Sequence, residues 1–463
     1  MKVRDFESCK RSVVAEPGEV SRSADTGVAC GNSFGAQPIL LAGQVVHSDW
    51  ARRMLTFLMV IGPGIIVMVA DNDAGAVSTY TQAGAQYGMH LLWLLLLLLP
   101  CTYFVQEMVV RLGIATGEGH AAMIYKRFGK WWGLFSLVDL LLLNFLTLVT
   151  EFAAIALAMS HAGVSPYLAV PLAAFGLILM IATASYRRWE RATVFFCGLN
   201  LAWLLLAFHL GPPVGTIARH AFLPEIPPGG ITSGLMFLVI AIVGTTIAPW
   251  QLFFQQSCIA DKKLRFKDLQ WSRLDTFIGA CFTIIFAGCM MLVGGALSRA
   301  GIHYFDPAQM SVALGKLHGP LVQYTCLFLM CNAAVLGATA ISLASSWAYA
   351  EVRGWRSSLE HSVKDAPGFY AIYAVGVGLA AAIVLIPGAP LQLIILSVQV
   401  LAGVMLPSAI IFLQLLLNDR ELLGDEYVNK PWNNYVNWTI IIVLFALSLI
   451  LAAQVLAPNL FPS

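Results

Sequence analysis

Long apolar stretches constrain the fold of this chain more than any other feature. Two of them, Leu91 to Val110 and Trp438 to Leu456, have the length of about 18 residues or more that a helix needs to cross a bilayer. Hydrophobic residues make up 59% of the chain and charged residues only 11%, whereas about a quarter of an ordinary soluble domain is charged. The sequence therefore predicts an all-α membrane protein with the lipid bilayer as its surroundings.

Charge and cysteine content exclude several other classes of protein. The net charge is only +2, so no nucleic-acid partner is expected. The nine cysteines are scattered, with no CxxC pair, which favours neither a structural zinc site nor a disulfide framework. No HExxH or GxSxG motif is present, and the chain is not expected to be an enzyme.

Apolar segments separated by short charged loops predict eleven transmembrane helices. Residues 1–49 are rich in Ser, Gly, Glu and Arg and are predicted to be a disordered cytoplasmic tail, followed by a transmembrane domain over 50–463. The approximate bounds of the spans are 52–84, 89–110, 132–159, 166–184, 192–211, 231–259, 274–298, 319–350, 369–386, 390–417 and 434–457.

The distribution of basic residues predicts the orientation. With alternating sides, only Arg219, Arg299 and Lys316 of the 27 Lys and Arg residues fall on the side opposite the amino terminus, leaving 24 on its own side. Basic residues concentrate in cytoplasmic loops. A plasma-membrane protein with a cytoplasmic amino terminus and an external carboxyl terminus is therefore expected.

The first span carries acidic residues at membrane depth. Asp71 and Asp73 lie in its middle, beside Asn72 and Gly75. A carboxylate at the bilayer centre costs about 2.5 to 3.5 kcal/mol even on the gentler insertion scale. Asp71 and Asp73 are nearly opposite on an intact helix, so both could face one ion only where the backbone is unwound.

The sixth span contains Gly244, Thr245 and Pro249 at a similar depth. Pro249 removes a backbone donor and clashes with the carbonyl of residue 245, so the helix is expected to open there and to leave carbonyls for a cation. Interruptions at matching places of two five-helix halves, 52–211 and 231–417, indicate an inverted repeat with a site near the midplane. The alternative is that Pro249 merely kinks its helix.

The segment from Ile61 to Gly117, with GPG, DAGA, QAGAQYG and VQEMVVRLGIATG, resembles the Nramp family of divalent-metal transporters. This resemblance implies a LeuT-like 5+5 inverted repeat with discontinuous helices 1 and 6, and one extra helix at 434–457. The family breaks its first helix at Asp-Pro-Gly-Asn, whose Asp and Asn fall on Asp73 and Ala76.

Other family positions are changed or kept in this chain. The Met and Pro of the sixth-helix motif Met-Pro-His fall on Ala248 and Pro249, and its two histidine positions on Trp250 and Gln255. A glutamine of the tenth helix is kept as Gln399, and an acid of the third helix appears as Glu151, for which a role in the pathway is expected.

These departures predict the substrate. Ala248 lacks the soft thioether that suits transition metals, so the remaining ligands are oxygens. They are the carboxylates of Asp73 and Asp71, the carbonyls near Gly244 and Thr245, and the amide of Gln399. This set resembles the magnesium branch related to Nramp and suits hydrated Mg²⁺, with Mn²⁺ as a further substrate and no resident cofactor.

The loss of both histidines predicts weak or absent proton coupling, because Trp250 and Gln255 do not titrate in their place. Trp250 either forms a wall of the vestibule or only fills space. Two alternatives stay open: a proton-coupled Mn²⁺ or Fe²⁺ transporter of the typical Nramp kind, and an organic-solute symporter of the same fold.

The remaining buried acids and the outer histidines receive structural interpretations. Glu107 is expected to pair with Arg111 four residues later, and Asp139 is expected to have a structural role. His90, His161 and His303 lie in predicted outer loops and are interpreted as ordinary surface residues.

Overall fold

The computed structural model describes residues 40–41, 44–45 and 60–456. The chain divides into a first unit, residues 1–55, and a second, residues 56–463. In the first unit, strands β1 (Leu40–Leu41) and β2 (Gln44–Val45) form an antiparallel pair. The rest of the predicted tail and the predicted start of the first span lie outside the described residues, so the disorder of the tail stays a prediction.

The described part of the second unit is helical. Several helices begin with proline, which fits the first turn because its missing N–H would have no partner there. The α-helices are α1 (Pro63–Ala70), α2 (Ala74–Tyr87), α3 (Leu92–Thr116), α4 (His120–Phe128), α5 (Lys130–His161), α6 (Pro166–Ala182), α7 (Tyr186–Leu199), α8 (Ala202–Leu210), α9 (Val214–Phe222), α10 (Ser233–Thr246), α11 (Pro249–Lys262), α12 (Leu269–Ala300), α13 (Pro307–His318), α14 (Pro320–Arg353), α15 (Pro367–Val384), α16 (Leu391–Leu416), α17 (Arg420–Tyr427) and α18 (Pro431–Leu456).

Most of these helices match a predicted span. Among the described residues, nine helical segments are long and apolar enough to cross a membrane, with α7 and α8 counted as one segment and α10 and α11 as another. The shorter α6 is a tenth apolar helix, and α1 with α2 covers the predicted first span from Pro63 onward. Differences of six residues occur at the second span, which ends at Thr116 rather than at residue 110, and at the fifth span, which begins at Tyr186 rather than at residue 192.

The long helices differ in how far they are buried. The central segments of α10–α11 and α14 are 83% buried, whereas that of α18 is 22% buried. The broken first span, α1 and α2, packs against α12, and α14 packs against α5. The molecule thus keeps its two interrupted spans inside and turns large apolar side chains of the outer helices toward lipid.

Glycines let the inner helices approach closely. A Cβ at Gly294 of α12 would lie 2.0 Å from the carbonyl oxygen of Thr81, and one at Gly84 of α2 would lie 1.9 Å from that of Met291. Small residues at such crossings allow backbone contact between membrane helices. The carboxylate of Asp275 then accepts hydrogen bonds from the N–H groups at the start of α1, including that of Gly64 at 2.7 Å.

Candidate functional site

The first span is broken at the two aspartates. Residues Asp71, Asn72 and Asp73 separate α1 from α2, and all three are buried. Asp73 is extended, with φ −76° and ψ −170°, and its side chain caps α2 by accepting a hydrogen bond from the N–H of Ala76 at 2.9 Å. The helix is therefore interrupted at these residues, and Asp71 and Asp73 both lie at the break.

The sixth span is broken at its proline. Ile247 and Ala248 separate α10 from α11, and Pro249 is the first residue of α11. In a continuous helix the carbonyl of Thr245 would accept from residue 249, which has no N–H. The hydroxyl of Thr245 also has no hydrogen-bond partner among the described residues. The hydroxyl of Thr245 is thus an oxygen without a described partner at this break, and the cation-binding role of the carbonyls stays a prediction.

A third carboxyl group reaches the first break from α5. Glu151 is fully buried, accepts a hydrogen bond from the N–H of Ala74 at 3.1 Å and has its carboxyl group against that of Asp73. Gly337 of α14 makes this approach possible, because a Cβ there would lie 2.7 Å from the Cβ of Asp73 and 2.9 Å from Oε2 of Glu151. The structure therefore brings Glu151 to the break.

Gln399 also reaches the first break. Its amide nitrogen lies 1.7 Å from the position that a Cβ of Gly75 would take, and this nitrogen has no hydrogen-bond partner among the described residues. Gly244 has a different environment: a Cβ there would lie 2.3 Å from the carbonyl oxygen of Gln399 and 2.4 Å from the nitrogen of Gly403. Its lack of a side chain thus serves the close packing of α10 on α16.

A chain of two glutamines, which the sequence analysis did not identify, orients Asp71. Gln251 of α11 donates a hydrogen bond to Oδ1 of Asp71, and Gln106 of α3 donates to Oε1 of Gln251 at 2.7 Å. A further bond joins the two broken spans, between the hydroxyls of Tyr80 and Thr246 at 2.8 Å. The available signal was the presence of amides in otherwise apolar spans, which membrane helices do not carry without a partner.

The two positions of the lost histidines are the second and seventh residues of α11. Trp250 is buried and packs edge-on against Phe254, with ring centroids 6.1 Å apart. Gln255 donates to the hydroxyl of Thr276 on α12 at 2.9 Å. Gln255 thus has a neutral hydroxyl as its described partner, and neither side chain at these positions carries a titratable group.

The charge at the break is not balanced by basic side chains. None of the ion pairs among the described residues includes Asp71, Asp73 or Glu151. Buried carboxylates without a counter-charge cost several kcal/mol each. Free oxygens are available, since Oδ2 of Asp71, Oδ1 of Asn72 and Oε1 of Glu151 have no hydrogen-bond partner in the described part of the chain. The site can lower its energy by taking up cations or protons.

A family model described as "Natural resistance-associated macrophage protein-like" matches residues 64–454 of the chain. The chain belongs to the Nramp family. It is a multi-pass membrane protein of a transporter family and not an enzyme, as the sequence predicted.

Named relatives of this Nramp protein are similar over most of their length. A divalent metal cation transporter MntH of Staphylococcus aureus (strain Mu3) is 24% identical over 423 residues, which cover 86% of this chain and 91% of the relative. An MntH of Latilactobacillus sakei is 26% identical over 431 residues, covering 86% and 90%. These names do not support the predicted link to a magnesium branch.

Solved structures show the same fold. The manganese transporter of Eremococcus coleocola superposes with a TM-score of 0.70 at 19% identity and covers 91% of each chain. MhsT, solved in complex with L-phenylalanine, superposes with a TM-score of 0.54 at 14% identity, covering 85% of this chain and 98% of the other. The Nramp protein is thus an all-helical membrane protein whose structural neighbours are transporters of the LeuT fold.

One buried histidine lies beside α11 in this Nramp protein. Nδ1 of His120 is 3.0 Å from Oε1 of Gln256, and its ring packs edge-on against Phe253. Burial lowers the pKa of His120 to about 4, so the ring is neutral at physiological pH. It therefore does not replace the missing histidines as a group that titrates near neutrality.

The other acids have clear partners. Glu107 pairs with Arg111 at 3.1 Å, which confirms that prediction, and also with Arg273 of α12 at 2.6 Å. Asp139 accepts a hydrogen bond from Ser408 at 2.9 Å, a structural contact between α5 and α16.

Proposed function

We propose that this Nramp protein transports hard divalent cations, Mn²⁺ and Mg²⁺, through a site formed at the two helix breaks. The observation that carries the proposal is the donor set: buried oxygens of Asp71, Glu151 and Thr245 have no described hydrogen-bond partner at the two breaks. The family's methionine position is Ala248. Oxygen ligands suit Mg²⁺ and Mn²⁺, whereas a thioether favours softer metals.

The proposed ligands come from three elements. Asp73 and Asp71 supply carboxylates from the first break, Thr245 and Gly244 supply carbonyls from the second, and Gln399 supplies its amide oxygen. Carboxyl groups without a described basic partner, and oxygens without a described hydrogen-bond partner, support this assignment. The short side chains of Ala76 and Ala248 leave space for water, and Mg²⁺ usually keeps several of its waters when it binds to protein.

The balance between the two ions is the finer part of the proposal. The sequence favours Mg²⁺ through the missing thioether, whereas the manganese transporter of similar fold and the divalent-metal relatives support Mn²⁺ better. Both ions are hard enough for an oxygen site. We therefore propose Mn²⁺ and Mg²⁺ as substrates and exclude Cd²⁺ as a good one.

Flux into proteoliposomes tests the donor set. The wild type is expected to carry Mn²⁺ and Mg²⁺ and to carry Cd²⁺ poorly. Ala248→Met adds a thioether and is expected to raise Cd²⁺ flux relative to Mg²⁺, whereas the matched variant Ala248→Leu adds similar bulk without sulfur and is expected not to. Cd²⁺ flux exceeding Mn²⁺ flux in the wild type would contradict the proposal.

Loss of the central carboxylate tests the location of the site. Asp73→Ala is expected to abolish Mn²⁺ and Mg²⁺ flux while the protein still elutes as a folded species. Asp139→Asn is the matched control, since Asp139 accepts a bond from Ser408 away from the breaks. Unchanged flux in Asp73→Ala would place the site elsewhere.

We also propose that transport is only weakly coupled to protons. Trp250 and Gln255 do not titrate, and His120 is held neutral. A divalent ion entering the cell gains about 4.6 kcal/mol per 100 mV from the membrane voltage, so a proton is not needed as a driving ion. A pH-sensitive dye inside the liposomes is expected to report little acidification during Mg²⁺ uptake. One proton carried per metal ion would overturn this part.

The proposed topology has eleven spans in two inverted five-helix repeats and a final extra helix. Basic residues support an amino terminus in the cytoplasm and a carboxyl terminus outside. Epitope tags at the two termini of the protein in intact cells test this: only the carboxyl-terminal tag is expected to react with an impermeant antibody.

A further inference from the structure

Two histidines and a glutamate meet on the loops that precede α3 and α10. His90 lies between α2 and α3, His220 lies in α9, and Glu225 follows α9. Nδ1 of His90 is 3.3 Å from Oε2 of Glu225, and Nδ1 of His220 is 3.2 Å from the same oxygen. One potential ligand atom from each of the three residues lies within 4.8 Å of the other two, the one such group of three His, Cys, Asp or Glu residues among those that the structure describes.

The spacing of these atoms fits a metal ion. Zinc is bound tetrahedrally at about 2.0 to 2.1 Å by histidine nitrogen and carboxylate oxygen, which separates neighbouring ligand atoms by about 3.3 Å. The two distances to Oε2 of Glu225 have this value. The two imidazole rings stand nearly perpendicular, at 85°, with centroids 5.2 Å apart, so they do not stack on each other.

The ring nitrogens are not used in hydrogen bonds. Nδ1 of His90 and Nδ1 of His220 are both buried atoms without a hydrogen-bond partner among the described residues. They face the carboxylate at ion-pair distance but without the directions that a hydrogen bond needs. A metal ion between the three atoms would satisfy both nitrogens and the oxygen together.

We propose that His90, His220 and Glu225 form a second metal site, which binds a borderline transition-metal ion such as Zn²⁺. Imidazole nitrogen suits zinc and its neighbours in the series rather than Mg²⁺. Three protein ligands leave a fourth position for water. The ligand chemistry thus differs from the oxygen-only donor set of the helix breaks, and this proposal does not depend on the proposed transport function.

Neighbouring contacts leave the ligand atoms in place and accessible. Trp93 donates from its indole N–H to the backbone carbonyl of Glu225 at 3.3 Å, which fixes this loop to α3. Arg219 lies 3.6 Å from Oε1 of Glu225, so Oε2 stays available. The side chains of His90 and Glu225 are each 29% exposed, which gives an ion from solution a way in.

The site joins two segments that continue into the broken spans. His90 lies two residues after Gly88, which ends α2, and Glu225 lies eight residues before the start of α10. A bound ion would therefore tether the loop that follows the first broken span to the loop that precedes the second.

Zinc binding to the purified full-length protein tests the proposal. Asp73→Ala serves as the background, because the central carboxylate is then absent and any failure of the transport proposal does not affect the result. One Zn²⁺ per chain is expected by equilibrium dialysis. His220→Ala and Glu225→Gln, each added to this background, are expected to weaken that binding at least about 100-fold, more than loss of an outer-shell partner usually does.

Matched controls separate loss of a ligand from damage to the loop. Arg219→Ala removes the neighbouring side chain of the same helix and is expected to keep the bound Zn²⁺, as is His303→Ala in another loop. Co²⁺ in the same protein is expected to give the intense visible absorption of a four-coordinate ion, and to lose it in His90→Ala. Absence of Zn²⁺ binding, or binding unchanged in both His90→Ala and His220→Ala, would overturn the proposal.

Discussion

Asp71 is oriented by a glutamine that follows the second helix break. The amide of Gln251 donates to Oδ1 of Asp71, and its own oxygen accepts from Gln106, so the carboxylate is fixed on one side by two neutral amides. Its other oxygen, Oδ2, has no partner among the described residues. This arrangement turns one carboxylate oxygen toward the break without adding a positive charge that would repel a cation.

A double-mutant cycle measures how much this bond contributes to transport. Asp71→Ala and Gln251→Ala are each expected to reduce Mn²⁺ flux. A hydrogen bond to a charged group contributes about 1.5 to 3 kcal/mol. If the two residues act through this bond, the flux of the double variant is expected to be roughly tenfold or more above the value obtained by multiplying the two single losses. Losses that simply multiply would show that the glutamine does not act through Asp71.

Gly337 keeps the space in which Asp73 and Glu151 meet. A Cβ at this position would come within 2.7 Å of the Cβ of Asp73. Rotating the side chain of Asp73 cannot relieve this clash, because its Cβ is attached directly to the backbone of the break. Gly337→Ala is therefore expected to reduce Mn²⁺ flux at least about tenfold.

Gly378 of α15 gives the matched control for Gly337→Ala, because nothing lies within 4 Å of a Cβ built there. Gly378→Ala is expected to leave flux unchanged and to stabilise the helix by up to about 1 kcal/mol, since alanine has the higher helix propensity. Thermal unfolding followed in detergent distinguishes the two effects. Equal flux in both variants would show that the glycine at 337 is not needed for the site.

At the residue scale, the sequence identified the charged residues of the site better than the uncharged residues that contact them. Asp71 and Asp73 stand out because acids are costly in an apolar span, and Pro249 marks the second break. Gln251 is marked only as an amide in an apolar span and Gly337 is not marked at all, because their partners depend on which faces of α11 and α14 turn toward the break. That orientation follows from tertiary packing and cannot be obtained from the composition of each span.

At the scale of elements, α12 supports both halves of the first broken span. A Cβ at Gly279 would lie 2.8 Å from the carbonyl oxygen of Gly64 in α1, and one at Gly294 would lie 2.0 Å from that of Thr81 in α2. One continuous helix therefore holds the two short ones at backbone contact, which fixes the position of the break between them.

Widening this contact is expected to disturb the site. Gly294→Ala forces α2 away from α12, and we expect a loss of about 1 to 3 kcal/mol in unfolding free energy together with reduced Mn²⁺ binding. Gly288→Ala on the same helix is the control, because its Cβ would meet only Cδ2 of Leu92 at 3.9 Å. Melting temperatures of the two variants that agree within error would contradict this account.

The sequence also predicted long elements better than short ones. The apolar spans were found with bounds close to those of the structure, since each is long enough to be marked by composition alone. The short helices α4, α9, α13 and α17 were not predicted, because helices of 8 to 12 residues between spans carry little apolar signal.

At the scale of the whole molecule, the amino-terminal end of α1 is held by contacts with α11, which in turn pairs with α7. Lys262 of α11 donates to the carbonyl oxygen of Ile61 at 2.9 Å and pairs with Glu190 of α7 at 2.6 Å. Close to this contact, Sγ of the buried Cys258 lies 3.0 Å from the hydroxyl of Tyr186. We predict that these contacts open during transport.

Removing the contacts of Lys262 is expected to expose Cys258. In Lys262→Ala the carbonyls at the start of α1 and the carboxylate of Glu190 lose a charged donor, a loss of about 1 to 1.5 kcal/mol at a partly exposed position. The fraction of molecules in which these contacts are open then rises roughly five- to tenfold. A thiol reagent is expected to label Cys258 faster by the same factor, as measured by peptide mass spectrometry. The neighbouring, exposed Lys263 provides the control, and Lys263→Ala is expected to label at the wild-type rate. Labelling of Cys258 that is equally slow in all three proteins would show that Lys262 does not hold this end of the molecule closed.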